Sequence, residues 1–112
     1  MVISKAAGGF RINLDDGPPV NHCKPAVDVL FRSVSELPEV HTLSVVMTGM
    51  GRDGTEGVKL LKQTGTYTLI QDKDTSVVWG MPGSVNEASA ADEVLPLEKL
   101  GARMTELANQ NR

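Results

Sequence analysis

The sequence predicts an α/β domain: a partial, doubly wound, mainly parallel sheet with helices on both faces, in three α/β/α layers. Three observations carry this. Short apolar segments rich in β-branched residues alternate with segments of helical periodicity along the chain. The run Leu43-Ser44-Val45-Val46-Met47 is continuous rather than alternating, as expected of a strand covered on both faces. A glycine loop, Thr48-Gly49-Met50-Gly51-Arg52-Asp53-Gly54, joins that run to a helical segment, and another strand follows, which makes a βαβ unit.

Each element has its local reason. Phe10-Arg11-Ile12-Asn13-Leu14 alternates apolar and polar residues as a half-buried strand does, and Asp15-Asp16-Gly17-Pro18-Pro19 turns the chain. From Lys24-Pro25 to about Leu37, the residues Val27, Leu30, Phe31, Val34 and Leu37 fall at helical spacing, with Pro25 in the first turn and Pro38 closing the run. Leu43 to Met47 is the central strand. Glu56 to Gln63 is a helix, capped by Thr55 or the loop before it and stopped by Gly65, and Thr66 to Ile70 is the next strand. A polar loop, Asp72 to Ser76, leads to a helix over Pro82 to Ala91. Glu93-Val94-Leu95 is a short strand, and Leu97, Leu100, Met104 and Leu107 form the stripe of a last helix that frays from Asn109 to Arg112. Four strands make a small sheet for a parallel fold, so further sequence upstream is expected.

The totals narrow the function. A chain of 112 residues is one domain at most, and 40% hydrophobic with 22% charged residues is ordinary globular composition. No apolar run approaches the roughly 20 residues of a membrane span, and no targeting segment is visible. A net charge of -3 with scattered basic residues gives no footprint for nucleic acid. Cys23 is alone, so no internal disulfide forms, and with His22 it supplies too few ligands for a closed zinc site; an inert, buried thiol is expected.

The glycine loop admits three readings. Gly49, Gly51 and Gly54 reproduce the spacing of a dinucleotide fingerprint, with Asp72 or Asp74 about 20 residues on for a ribose. Against it, Asp53 would repel a pyrophosphate, and a strand and a long helix precede the loop. The second reading is catalytic: at the end of a parallel strand the loop presents Asp53 to orient a histidine, and its backbone N–H groups face a developing oxyanion. In the third, Asp53 simply caps the helix that follows.

Four blocks in order, Asp16-Gly17-Pro18-Pro19-Val20-Asn21, Lys24 to Phe31, Thr48 to Gly54 and Val77-Val78-Trp79-Gly80-Met81-Pro82, resemble the C-terminal half of the catalytic domain of the CheB protein-glutamate methylesterase family. The resemblance runs from about Phe10 to Leu107. It implies hydrolysis of glutamate methyl esters on chemoreceptors, with glutamine deamidation in some members, by a serine, histidine and aspartate. Asp53 matches the aspartate that orients the histidine, and Met50 matches the loop residue whose backbone N–H helps hold the oxyanion. No cofactor or metal is implied; the location is cytoplasmic, and the substrate of the parent enzyme is the helix of a methyl-accepting chemoreceptor.

This sequence departs from the family pattern in one large respect. The Gly-Ser-Thr-Gly-Gly-like turn of the nucleophile and the Gln-His-Met-like turn of the base do not occur in it, nor does the receiver domain that many members carry. His41 precedes the central strand, about 20 Å from its other end if the strand is six residues long. His22 belongs to no pattern that makes it a base, and none of the seven serines lies in a nucleophile turn. Residues 1–112 are therefore expected to be the C-terminal portion of the domain, inactive alone. The alternative is a non-catalytic chemotaxis binding module of the same fold. Arg52 reads as a receptor contact or a solvated charge, Trp79 and Met81 as packing or groove lining. An exposed sheet edge would favour dimerisation.

Overall fold

A computed structural model describes residues 1–110. Its elements in chain order are β1 (Val2–Ala6), β2 (Gly9–Asn13), α1 (Val27–Ser35), β3 (Leu43–Val46), α2 (Thr55–Gln63), β4 (Tyr67–Gln71), α3 (Gly80–Glu87), β5 (Glu93–Leu95) and α4 (Leu97–Gln110). Strands β3, β4 and β5 form a parallel sheet in that order, with Val45 opposite Leu69 and Val46 opposite Ile70.

Because side chains alternate along a strand, that register sends Val46 and Ile70 to one face and Val45 and Leu69 to the other. Val46 and Ile70 pack with Val58, Val85 and Ala90 from the α2 and α3 side, joined by Phe31 of α1 and by Trp79 and Met81. Leu69 packs with Leu100 and Leu107 of α4, beside Leu43, Val45 and Leu95. The continuous apolar reading of β3 is thus explained by helices on both sides. One polar pair crosses the sheet: the buried hydroxyls of Ser44 and Thr68 share a 2.6 Å hydrogen bond, so neither is left unsatisfied.

Helices α1 and α2 cross closely at Gly57. A Cβ there would lie 2.5 Å from Phe31 Cβ and 3.1 Å from Asp28 Oδ1, so only glycine admits this approach.

Several expectations are corrected. β1 was not expected; it pairs antiparallel with β2 in a hairpin outside the parallel sheet, giving five strands among the described residues. β2 is exposed along its whole length, not half-buried, because only β1 of the hairpin donates to α1, through Ile3 N–H to Ser33 Oγ at 2.9 Å. α3 begins at Gly80, two residues before Pro82, which sits inside the first turn, where its missing N–H costs nothing. In α4 only half of the expected stripe is buried: Leu100 and Leu107 face the sheet, while Leu97 and Met104 are 48% and 39% exposed. The helix continues to Gln110, and the remainder of the expected frayed end lies outside the described residues. Cys23 is half-buried rather than buried, its backbone tied to Val20 by two hydrogen bonds. The outer edges of β3 and β5 have no strand partner among the described residues.

Candidate functional site

The glycine loop leaves the C-terminal end of β3 and is held there by its own backbone. Gly49 N–H donates to Val78 O and Met81 N–H donates to Gly49 O, both at 2.9 Å, so Val78 to Met81 runs beside the loop like an added strand. Gly80 permits this approach: a Cβ at that position would lie 2.9 Å from Gly51 N and 3.0 Å from the carbonyl oxygens of Gly49 and Gly51. Gly51 and Gly54 have φ of 87° and 104°, the positive range that glycine adopts without a Cβ clash. The Met50 side chain stands 82% exposed on the resulting turn, and among the described residues its backbone N–H donates no hydrogen bond.

Asp53 is 5% exposed, and its carboxylate turns back toward α1. Oδ2 accepts from Val27 N–H at 2.6 Å, and Oδ1 accepts from Asp28 N–H and Asn21 Nδ2, each at 3.0 Å. Asp28, also buried, does the reverse. Its Oδ1 accepts from Gly54 N–H at 3.0 Å and Gly57 N–H at 2.8 Å, at the start of α2, and its Oδ2 accepts from Asn21 Nδ2 at 2.6 Å. Each helix start is therefore capped by a carboxylate from the other segment, and one amide, Asn21, bridges the two acids. The expected capping of α2 by Asp53 or Thr55 is not what forms; its N-cap is Gly54, which has no side chain to cap with, and Thr55 Oγ1 bonds Ser84 Oγ at 2.8 Å.

This arrangement tests the phosphate reading directly. A pyrophosphate would need the N–H groups at the start of α2, and a carboxylate, that of Asp28, already occupies those of Gly54 and Gly57. Asp72, the nearer ribose candidate, accepts from Thr75 N–H and Thr75 Oγ1 at 3.0 and 2.6 Å and closes its own turn. The loop is built to hold an acid in place rather than to bind a phosphate.

A carboxylate oxygen can accept two hydrogen bonds. Oδ1 of Asp53 has two and Oδ2 has one, so one acceptor position remains on Oδ2. His41 lies at the other end of the sheet, near Leu43, Tyr67 and Leu107. His22, with φ of 62°, is exposed on the turn beside Asn21, in a hollow of about 390 Å³ that it lines with Asn21, Asp28, Gly51, Arg52 and Glu56. Neither histidine bonds Asp53.

Trp79 and Met81 pack on the core, and the Trp79 indole N–H donates to Gln71 O at 2.7 Å, as their packing reading requires. Trp79 also lines, with Arg52, Lys59 and Glu87, an open cavity of about 510 Å³ between α2 and α3. Arg52 is exposed. Asn21 and Asp28 were missed in the sequence. The available signal was an acid on the apolar side of α1, three residues before Phe31.

Among the described residues no helix is long and apolar enough to cross a membrane, and no group of three or more His, Cys, Asp or Glu is placed to hold a metal ion.

Comparison with known proteins follows the same outline. The sequence profile described as CheB methylesterase matches residues 1–104. A protein-glutamate methylesterase/protein-glutamine glutaminase of Maricaulis maris is 54% identical over 101 residues, covering 90% of this chain and 25% of its own length. One from Xanthomonas campestris is 50% identical over 103 residues, covering 92% of this chain and 29% of its own length. The crystal structure of the Thermotoga maritima CheB methylesterase catalytic domain superposes with a TM-score of 0.89 at 38% identity, over 95% of this chain and 56% of that one. The chain thus spans between a quarter and three tenths of the length of these curated relatives.

Proposed function

The chain belongs to the CheB methylesterase family, and on that premise we propose that it is the C-terminal portion of a protein-glutamate methylesterase catalytic domain, supplying Asp53 and the Met50 loop to a serine hydrolase site. The nucleophilic serine and the basic histidine come from sequence outside these residues. The serine hydroxyl attacks the ester carbonyl carbon as histidine takes its proton, and the oxyanion is held by N–H donors that include Met50. Collapse expels methoxide, which leaves with that proton as methanol, and water then hydrolyses the acyl-enzyme to a glutamate carboxylate. Asp53 receives the other imidazole N–H, fixing its tautomer and stabilising the imidazolium. Glutamine deamidation follows the same path with ammonia leaving.

The observation that carries the reading is the Asp53 carboxylate: buried, fixed by two backbone amides and Asn21, with one acceptor position left, on the same loop as the uncommitted Met50 N–H. The substrate in this reading is a methylated glutamate on a cytoplasmic chemoreceptor helix. The test is methanol release from methylated chemoreceptor membranes by this chain alone, then mixed with the separately made N-terminal part of a related catalytic domain. Release only from the mixture, lost in Asp53→Ala, is expected. Release by the chain alone would overturn the assignment of serine and histidine to other sequence. A mixture that stays silent would favour a non-catalytic chemotaxis binding module, the reading suggested by the lack of a histidine at Asp53.

The outer edge of β3, unpaired among the described residues, supports self-association of the isolated chain by strand pairing. Light scattering at micromolar concentration should show a dimer, and a strict monomer would refute this.

A further inference from the structure

Asn21 stands where two buried acids approach each other, and both partners of its side-chain N–H groups are carboxylates. Its Nδ2 lies 2.6 Å from Asp28 Oδ2 and 3.0 Å from Asp53 Oδ1, so the amide must present both N–H bonds to the two carboxylates. The backbone explains its placement. Val20 and Cys23 exchange backbone hydrogen bonds of 3.0 and 2.9 Å around a two-residue turn, and Asn21 occupies that turn with φ of 55°, a left-handed conformation that asparagine tolerates well. The residue itself is exposed, so it fills no core volume. What it contributes is two hydrogen-bond donors between two like charges.

We infer that Asn21 is a positioning residue, whose side-chain amide holds the Asp53 carboxylate in the orientation that leaves Oδ2 open to a histidine N–H. The inference rests on the proposed role of Asp53. Val27 N–H holds Oδ2, while Asp28 N–H and Asn21 share Oδ1. Without Asn21 the two carboxylates lose the one donor they share, and Asp53 can relieve the repulsion by rotating toward the crevice, out of register with the imidazole. Asp28 acts with Asn21 by anchoring the amide from the other side.

The decisive variant is Asn21→Asp, which keeps the shape of the side chain but replaces both donors with a third acceptor. Asn21→Ala, which removes the donors without adding charge, serves where the first variant folds poorly. The first readout needs only this chain: the backbone amide resonances of Val27 and Asp28, the two N–H groups that Asp53 holds. Both should move in each variant, more in Asn21→Asp. The second is turnover of the reconstituted mixture, where kcat should fall about tenfold in Asn21→Ala and about a hundredfold in Asn21→Asp with KM within about twofold, the signature of misplacement rather than lost binding. Amide resonances unchanged in both variants would overturn the inference, and so would shifted resonances with unchanged kcat. Intact turnover in Asp53→Asn would instead sink the reading of Asp53 itself, which separates the two failures.

Discussion

Replacing Asp28 by alanine tests the reciprocal capping quantitatively. Asp28 is 8% exposed and accepts three hydrogen bonds, two of them from backbone N–H groups, Gly54 and Gly57, in a buried setting. A buried donor left without a partner costs about 1–3 kcal/mol, so orphaning these two costs about 2–6 kcal/mol. The loss of the favourable meeting of a negative charge with the start of α2 adds about 0.3–1 kcal/mol. Relief of repulsion from the Asp53 carboxylate, and water reaching the space vacated, act in the other direction, which places the net near 3 kcal/mol. For a domain of this size that corresponds to a fall in Tm of roughly 10–20 °C. Asp28→Asn retains an oxygen that can accept from Gly54 and Gly57 but turns an N–H group toward Asn21, and should cost about 1–2 kcal/mol. The assay is thermal and urea unfolding of both variants at neutral pH, followed by far-UV circular dichroism. A Tm for Asp28→Ala within about 2 °C of the parent, or equal losses for the two variants, would refute the claim that its carboxylate caps α2.

Two further outcomes follow from packing and charge. Gly57→Ala gains about 1 kcal/mol of helix propensity but drives a methyl group into Phe31 Cβ at 2.5 Å, so net destabilisation of about 1–2 kcal/mol is expected on urea unfolding, and a stabilised variant would show that α1 and α2 can move apart. Glu93 accepts from Arg103 Nη2 at 2.7 Å and from Tyr67 Oη at 2.7 Å, and the guanidinium first, then the phenol, hold its pKa below the ordinary 4.5. A carboxylate whose folded pKa is depressed stabilises the fold above its unfolded pKa, and that contribution disappears as pH falls through the folded value. Carboxyl carbon shifts should therefore show Glu93 titrating below 4.5, moving back up in Arg103→Gln; titration at 4.5 in the parent would contradict the pairing. The hydrogen bond to Glu93 likewise raises the Tyr67 phenol above 10.0, which absorbance near 295 nm reads as delayed tyrosinate formation.

Periodicity and punctuation are properties of a few consecutive residues, and what depends on them was legible in the sequence: the first helix, read from Lys24-Pro25 to about Leu37 although it runs Val27–Ser35 with Pro25 ahead of its N-cap, the strand at Leu43, the turn of glycines after it, the short strand Glu93–Leu95 and the parallel βαβ order. The glycine spacing alone left a phosphate site, a catalytic acid and a helix cap all open, and the blocks around it pointed to the family that the comparisons support. Tertiary structure decided what lies across long separations. Val2–Ala6 carries a strand pattern too weak to read alone and becomes a strand only by pairing with Gly9–Asn13. The α4 stripe splits into Leu100 and Leu107, which pack on Leu69 of the sheet, and exposed Leu97 and Met104, a division set by how the helix docks. Asp53 and Asp28 lie 25 residues apart, and each looks like a local helix cap. Only the crossing of α1 over α2, made close by Gly57, lets each acid reach the other's segment and lets Asn21 sit between them. Hydrogen bonds of this kind are fixed by the register of packed elements, which no window of neighbouring residues encodes.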